Sequence, residues 1–123
     1  MYQLLKQKGS LSELTARHYV MQIVLALGFL HSKNIAHRDL KPENVLINED
    51  GSLAVSDFGI SKVIKPQSKT KSFTGTLEYM APEILSRAGH SVAVDWWSLG
   101  ILTYQMVFGN TPYYSKTRSN QQL

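Results

Sequence analysis

Residues 37–44 read HRDLKPEN, a dense run of charged and polar side chains that is followed at once by two short apolar runs. These runs, VLI at 45–47 and LAV at 53–55, enclose the turn-forming residues NEDGS and therefore predict an antiparallel hairpin. HRDLKPEN then leads into the first strand, and Asp57-Phe58-Gly59 follows the second. Because a hairpin carries both loops to the same edge, we expect three side chains to lie close together: Asp39, Asn44 and Asp57.

The strongest helical periodicity precedes this run. Apolar residues repeat at i, i+3 and i+4 positions along residues 16–30. Ser12 suits the N-cap position, and Glu13 places negative charge in the first turn, where the helix dipole favours it. The sequence therefore predicts a helix over residues 13–32.

The second half of the chain is predicted to contain further helices joined by a polar segment. Residues 93–107 are apolar on nearly all sides, which is typical of a buried helix. Pro82 suits the first turn of a short helix. Residues 61–73 are polar and lysine-rich, so we predict a mobile loop there, and the polar tail after Tyr114 predicts the start of another helix.

The composition narrows the classes of protein. With 123 residues, 43% of them hydrophobic, the chain fits one domain with a real core. No stretch approaches the roughly 20 apolar residues of a membrane span, and the N-terminus lacks the pattern of a secretory signal. The absence of cysteine excludes disulfides and thiolate metal sites. We expect a location in the cytoplasm or the nucleus.

The charge of the chain does not predict a nucleic-acid partner. The net charge is +4, and apart from a lysine cluster at 62–71 the basic residues are scattered. No basic run is interleaved with aromatic residues, as nucleic-acid-binding segments usually are. His18, His31 and His90 have no ligand-like spacing, so metal binding by histidine is not expected.

Five motifs occur in a fixed order along the chain. They are His37-Arg38-Asp39-Leu40 with Asn44, then Asp57-Phe58-Gly59, Gly75-Thr76, Ala81-Pro82-Glu83 and DWWSLG at 95–100. In this order they resemble the second half of the protein kinase domain. The resemblance implies an α+β fold, a mainly helical C-lobe with short β-hairpins and without the small lobe. It covers residues 1–123 as a partial domain, from the first helix below the hinge to the start of the helix after residue 112.

Phosphoryl transfer requires positioning and charge neutralisation more than covalent chemistry, and the resemblance assigns these tasks to individual residues. Asp39 matches the catalytic carboxylate, and Lys41 matches the cation that offsets negative charge at the transferred group of ATP. Asn44 and Asp57 match the ligands of Mg²⁺, and a carboxylate with an amide suits such a hard cation. Two further residues match the nucleotide pocket: Leu46 under the adenine and Ser56 just before Asp57.

The pattern Asp-x-Lys-x-x-Asn is typical of the serine/threonine-directed side of the family. The segment KTKSFTGTLEYMAPEIL at 69–85 is similar to the AGC group, close to ribosomal-protein S6 kinases and mitogen- and stress-activated kinases. This resemblance implies protein substrates and an upstream activating kinase. It also implies contacts with the substrate at Glu43, which matches a position that receives arginine in basic-directed kinases, and at Thr76.

In the AGC group the residue before Phe-x-Gly-Thr is phosphorylated, and here this residue is Ser72. Arg38 and Lys62 match the cations that hold the phosphate, whose charge and three acceptor oxygens are able to order a basic loop. A solvated linker is the other interpretation of the lysine cluster, and both apply if the loop is mobile until it is phosphorylated. Thr74 departs from the group, which usually has cysteine there.

Each residue also has a structural interpretation. Asp39 alone could cap a loop, and Asn44 could belong to a turn. Leu46 and Ser56 could be ordinary strand residues. His37 and Glu83 are expected to be structural, and Asp95 is expected to brace the catalytic loop through backbone N–H groups.

Two functions remain open from the sequence. The first is a protein serine/threonine kinase represented by a partial sequence, and the second is a truncated, non-catalytic kinase-like module that binds partners. No G-x-G pair and no V-A-x-K segment precede HRDLKPEN, so residues 1–123 alone are expected to be inactive. The joint presence of the four residues that carry the chemistry favours the kinase: Asp39, Lys41, Asn44 and Asp57.

Overall fold

A computed structural model describes residues 1–114 of the chain. Its helices are α1 (Tyr2–Lys8), α2 (Glu13–Ser32), α3 (Pro82–Leu85) and α4 (Val94–Phe108). Its strands are β1 (Ile35–Ala36), β2 (Val45–Ile47), β3 (Leu53–Val55) and β4 (Lys62–Val63). This is the expected α+β arrangement. The helix predicted after residue 112 lies largely outside the described residues.

Helix α2 begins and ends at the predicted residues. Ser12 Oγ accepts a hydrogen bond from Thr15 N at 3.2 Å, so the predicted N-cap forms. The inward side of α2 buries Ala16, Ile23 and Leu27, whereas Val24, which shares the predicted apolar stripe, is exposed. α2 packs against α4, and the two helices supply most of the main core together with Leu40 and Val45.

The hairpin that follows HRDLKPEN also forms as predicted. β2 and β3 pair antiparallel with Val45 opposite Val55 and Ile47 opposite Leu53. A 3₁₀ turn over Pro42–Asn44 leads directly into β2. The pairing therefore holds the end of HRDLKPEN beside the residues that follow β3.

The prediction of a mobile loop over residues 61–73 is wrong for part of its length. β4 pairs antiparallel with β1, although the two strands are 26 or more positions apart. Ile64 is buried and donates its N–H to Asn34 O at 2.8 Å. Farther on, Thr70 forms a β-bridge with His90. Backbone hydrogen bonds therefore fasten this segment at both ends.

Helix α4 is less buried than its sequence predicts. Val94, Leu102 and Met106 lie in the core, but Trp96 and Trp97 are 41% and 38% exposed. The predicted burial is thus correct for one side of the helix and wrong for the other. Among the described residues no helix is both long and apolar enough to cross a membrane.

Candidate active site

Four side chains from two segments of the chain meet at Asp39. Lys41 Nζ lies 2.8 Å from Asp39 Oδ2, and Asn44 Nδ2 donates to the same oxygen at 3.1 Å. Thr76 donates through Oγ1 to Asp39 Oδ1 at 2.8 Å and accepts from Lys41 Nζ at 3.0 Å. Both oxygens of the carboxylate are engaged, so its orientation is set from both segments.

These contacts keep Asp39 ionised. Burial by itself would raise the pKa of Asp39, but the hydrogen bonds from Lys41, Thr76 and Asn44 and the charge of Lys41 outweigh it and hold that pKa below its ordinary value. At neutral pH the group is therefore a carboxylate. A carboxylate accepts hydrogen bonds only, which suits it to take the hydrogen bond of a hydroxyl.

Asp95 supports the backbone of the catalytic loop from the first turn of α4. Its fully buried carboxylate accepts His37 N on Oδ2 at 2.9 Å and Arg38 N on Oδ1 at 2.8 Å. The predicted bracing role is confirmed. His31 Nε2 lies 2.8 Å from Asp95 Oδ2 and supplies a third contact.

His37 has the structural position that the sequence predicts. Its side chain is fully buried, and its Nε2 lies 2.9 Å from Ser56 O. The imidazole also stands edge-on to the ring of Phe58, with centroids 5.2 Å apart. His37 Nδ1 accepts a hydrogen bond from the backbone N–H of Asp39 at 3.3 Å. His37 therefore joins the loop that carries Asp39 to the loop after β3, through the backbone and not through the Asp39 carboxylate.

The two predicted metal ligands lie on neighbouring backbone segments. Ser56 donates to Asn44 O through its N at 2.9 Å and its Oγ at 3.2 Å, which places Asp57 one residue beyond a direct contact. The side-chain amide nitrogen of Asn44 donates to Asp39, so the amide oxygen of Asn44 points away from Asp39. Asp57 is exposed, and its Oδ1 accepts Gly59 N at 3.2 Å.

This donor set fits a hard divalent cation. An amide oxygen and an exposed carboxylate are oxygen ligands of the kind that Mg²⁺ takes while it keeps several waters. Within residues 1–114, no group of three or more His, Cys, Asp or Glu forms another candidate metal site. The carboxylate of Asp57 and the amide of Asn44 stay predicted cation ligands whose chemistry fits this role.

Two other predicted residues stand apart from Asp39. Leu46 is 50% exposed on β2 beside the buried Val45, so it lies on the outer side of the hairpin, as the floor of a ligand pocket would. Glu43 is exposed in the 3₁₀ turn. Among the described residues no hydrogen bond joins either of them to Asp39.

The structure brings Arg38 to Ser72. The Arg38 guanidinium donates to Ser72 Oγ and to Ile60 O. Lys62 is close by, but its Nζ donates to Thr70 Oγ1 at 2.8 Å instead of to Ser72. Thr70 Oγ1 lies 3.3 Å from Ser72 Oγ, so Lys62 reaches the predicted phosphosite through one intervening hydroxyl.

Sequence reasoning missed three residues of this region. His31 is 64 positions from Asp95, and no local pattern links the two. Thr70 and His90 pair through their backbones, again without a spacing signal. The alternation of lysine and hydroxyl residues at 69–72 is the one feature that could have drawn attention to Thr70.

Comparisons with known proteins show which family this chain is similar to. The protein kinase domain family matches residues 1–123. Protein kinase 2 of Dictyostelium discoideum is 49% identical over 115 residues, which cover 94% of this chain and 24% of that protein. The cAMP-dependent protein kinase catalytic subunit 3 of Drosophila melanogaster is 48% identical over 112 residues, which cover 91% of this chain and 19% of that protein.

A third relative comes from Caenorhabditis elegans and is provisionally named ribosomal protein S6 kinase alpha-1. It is 46% identical over 117 residues, which cover 94% of this chain and 15% of that protein. The chain spans about a quarter or less of the length of the curated relatives described here.

Proposed function

The chain belongs to the protein kinase family, and from this premise we propose that the protein carrying these residues is a serine/threonine kinase. It transfers the γ-phosphoryl group of ATP to hydroxyl groups of protein substrates. The similarity to AGC-type relatives supports the assignment as a serine/threonine kinase. A location in the cytoplasm or nucleus, an upstream activating kinase and the lack of a nucleic-acid partner stay predictions.

The contact network around Asp39 is the observation that carries the proposal. A carboxylate offers roughly four lone-pair sites, and Lys41, Asn44 and Thr76 occupy three of them. One acceptor site is therefore left for the hydroxyl of a substrate. The same contacts fix the carboxylate in one orientation, and positioning is the main task of a kinase active site.

The residues that would hold the nucleotide fit this assignment. When bound, ATP with its divalent cation supplies the phosphoryl group and neutralises its charge. We propose that Asn44 and Asp57 hold the cation and that it is Mg²⁺. Lys41 places its ammonium beside Asp39, where it is able to balance the negative charge of the transferred group. Leu46, exposed on β2, is proposed to lie under the adenine.

A substrate subsite is proposed next to Thr76. An apolar pocket of about 280 Å³ begins at the following residue and is lined in part by Leu77, Met80, Leu85 and Trp97. It is suited to an apolar side chain near the phosphorylated hydroxyl. The exposed carboxylate of Glu43 is proposed to favour a basic residue elsewhere in the same peptide.

The non-catalytic alternative is less well supported. A module that only binds partners has no need of the oriented carboxylate at Asp39 or of the cation and amide that hold it. In this chain all the predicted chemical residues are present, and Asp39, Lys41, Asn44 and Thr76 are in direct contact.

The test separates catalysis from nucleotide binding in the full-length protein. Asp39→Asn is expected to lower kcat by about 10²–10⁴-fold and to leave the affinity for an ATP analogue nearly unchanged. Asp57→Ala is expected to weaken Mg²⁺-dependent binding of the analogue, because it removes a cation ligand. Turnover is measured with serine peptides and binding by calorimetry.

The control for both variants is Asp50→Asn, which changes an exposed carboxylate in the turn between β2 and β3. It is expected to leave kcat and nucleotide affinity unchanged. Near-normal turnover in Asp39→Asn would contradict the proposed function. Unchanged Mg²⁺-dependent binding in Asp57→Ala would contradict the assignment of Asp57 as a cation ligand.

A further inference from the structure

His90 is a buried histidine for which the proposed reaction has no use. It lies between α3 and α4 and is only 2% exposed. Its Nε2 is buried without a hydrogen-bond partner among the described residues. Buried polar atoms in folded proteins are normally paired, so the unpaired ring nitrogen of His90 calls for a missing partner as its explanation.

The backbone places the imidazole next to the segment that carries Ser72. Thr70 N donates to His90 O at 3.0 Å, and His90 N donates to Thr70 O at 2.9 Å. Two residues that exchange both backbone hydrogen bonds are directly opposite in an antiparallel bridge, and their side chains project to the same face. The imidazole of His90 therefore lies on the same face as the Thr70 hydroxyl.

That face is where the predicted phosphosite lies. Thr70 Oγ1 is 3.3 Å from Ser72 Oγ and accepts from Lys62 Nζ at 2.8 Å. The Arg38 guanidinium donates to Ser72 Oγ. The hydroxyl of Ser72 thus contacts the guanidinium of Arg38 and the hydroxyl of Thr70, which stands opposite His90 and binds Lys62.

The charges around the imidazole leave it neutral while Ser72 is unmodified. Burial is the main reason that the pKa of His90 lies below its ordinary value, and the cations Arg38 and Lys62 lower it further. The carboxylates of Glu83 and Asp95 act in the opposite direction but are outweighed.

We propose that His90 is a third phosphate ligand, beside Arg38 and Lys62, for the phosphate group on Ser72. When the phosphate is present, the imidazole takes up a proton from solvent and donates a hydrogen bond from Nε2 to a phosphate oxygen. The inference rests on the proposed kinase function and on the prediction from the sequence that Ser72 is phosphorylated, which we adopt here as a proposal. It extends that proposal by giving the unpaired ring nitrogen its partner.

The reason for the proton uptake is electrostatic. A phosphoserine brings about −1.5 to −2 charge and three strong acceptors, which adds negative charge on the face where Arg38 and Lys62 lie. An opposite charge within about 4–6 Å raises the pKa of a histidine by roughly 1–3 units. The protonated imidazole then pairs with the phosphate as a charge-assisted donor.

The proposal gives His90 opposite effects on stability in the two forms. Without phosphate its pKa in the folded state is depressed, so its contribution is present above the ordinary pKa of about 6.5 and is lost as the pH falls through the folded value. With phosphate the folded pKa is raised, so the contribution is present below about 6.5 and is lost as the pH rises through the folded value.

The direct test needs no substitution at His90. Phosphoserine is installed at position 72 of the full-length protein, and the ring protons of the histidines are followed by NMR from pH 5 to 9, with and without the phosphate. The pKa of His90 is expected to rise by at least about one unit. The ring protons of His18, which is exposed on α2, are followed in the same spectra as the internal control.

Two variants provide a second measurement through the rate at which a phosphatase removes the phosphate at position 72. His90→Leu is expected to accelerate removal at pH 6.5 by about tenfold, and His90→Gln, which keeps an N–H donor without charge, by less. His18→Gln is the matched control. A His90 pKa that does not respond to the phosphate, or equal removal rates in wild type and His90→Leu, would overturn the inference.

The proposed activating role of Ser72 is tested separately. Phosphopeptide mapping of the active protein asks whether Ser72 is modified in cells, and an unmodified Ser72 would contradict that role alone. The response of His90 to an installed phosphate is a property of the folded chain. The prediction for His90 can therefore be confirmed or contradicted independently of the result of the phosphopeptide mapping.

Discussion

At the scale of single residues, the site uses backbone conformations that most side chains avoid. Arg38 and Asp57 both have left-handed φ angles, of 69° and 62°, which cost a residue with a side chain about 1–2 kcal/mol. The Asp95 carboxylate holds the first of them by accepting Arg38 N. A sequence-distant hydrogen bond thus supports the strained backbone at Arg38. Arg38 and Asp57 are the residues predicted to hold the phosphate and the metal.

Gly75 allows its own segment to approach the backbone of Arg38 closely, and it yields a prediction at the scale of single residues. Its φ is 121°, and a Cβ there would lie 2.7 Å from Arg38 O. Gly75→Ala is therefore expected to displace the catalytic loop, destabilise the full-length protein by about 1–3 kcal/mol more than a strain-only control, and reduce kcat. Urea unfolding and peptide turnover measure the two effects.

Gly51→Ala is the matched control for Gly75→Ala. Gly51 also has a positive φ, of 82°, but a Cβ there would meet nothing within 4 Å. Gly51→Ala therefore has the energetic cost of a positive φ but no steric clash with a neighbouring atom. If the two alanine variants lost equal stability and kept equal turnover, the close approach of Gly75 to Arg38 O would not be important for stability or catalysis.

At the scale of secondary-structure elements, the sequence predicted the helix and the hairpin whose stabilising contacts join residues close together in the chain. α2 was predictable to the residue because its periodicity runs over many turns and Ser12 caps it. The β2–β3 hairpin was predictable because its strands adjoin one turn. β1 and β4 have two residues each, too few to show a period, and their pairing depends on tertiary structure.

The same distinction applies to the site. Asp39, Lys41 and Asn44 lie within one short motif, so their proximity could be predicted from the sequence. The contact of Thr76 with Asp39 spans 37 positions, and that of His31 with Asp95 spans 64. Such contacts are decided by how α2, α4 and the loops pack, which a single sequence does not display.

The first turn of α4 yields the element-scale prediction. Asp95→Asn replaces one acceptor oxygen by an N–H₂ group facing Arg38 N or His37 N, and so leaves a buried N–H unpaired at a cost of about 1–3 kcal/mol. We expect that loss of stability together with at least a tenfold fall in kcat, because the catalytic loop loses its brace. Urea unfolding and steady-state kinetics measure both.

Ser98→Ala in the same helix provides the comparison. Its Oγ donates to Tyr79 O at 2.8 Å, away from the catalytic loop. This variant is expected to lose stability while keeping most of its kcat. If kcat fell in proportion to stability in both variants alike, Asp95 would be a general stabiliser and not a brace of the loop.

At the scale of the whole molecule, large apolar side chains remain uncovered in the described residues. Leu14, Met21, Leu25 and Phe29 are exposed along α2, and both tryptophans of α4 are partly exposed. Apolar surface of this extent promotes association between molecules. Residues 1–123 also contain no glycine-rich loop of the kind that covers nucleotide phosphates in kinases.

A polypeptide of residues 1–123 alone is therefore expected to show no measurable kinase activity, to bind ATP weakly or not at all, and to aggregate. Without groups above the phosphates, the positioning on which transfer depends is lost. A radiolabelled-ATP assay with a basic serine peptide tests activity, and light scattering tests association. Mg²⁺-dependent transfer that disappears in Asp39→Asn would refute this expectation.

The buried carboxylate of Asp95 has a consequence for how this chain evolves. It accepts two backbone N–H groups from HRDLKPEN and contacts His31, so three separate segments share one charged group. A substitution at position 95 changes which residues are tolerated at position 31 and how the loop at 37–38 can bend. These positions are therefore not free to drift independently, and lineages that alter one of them should carry a compensating change at another.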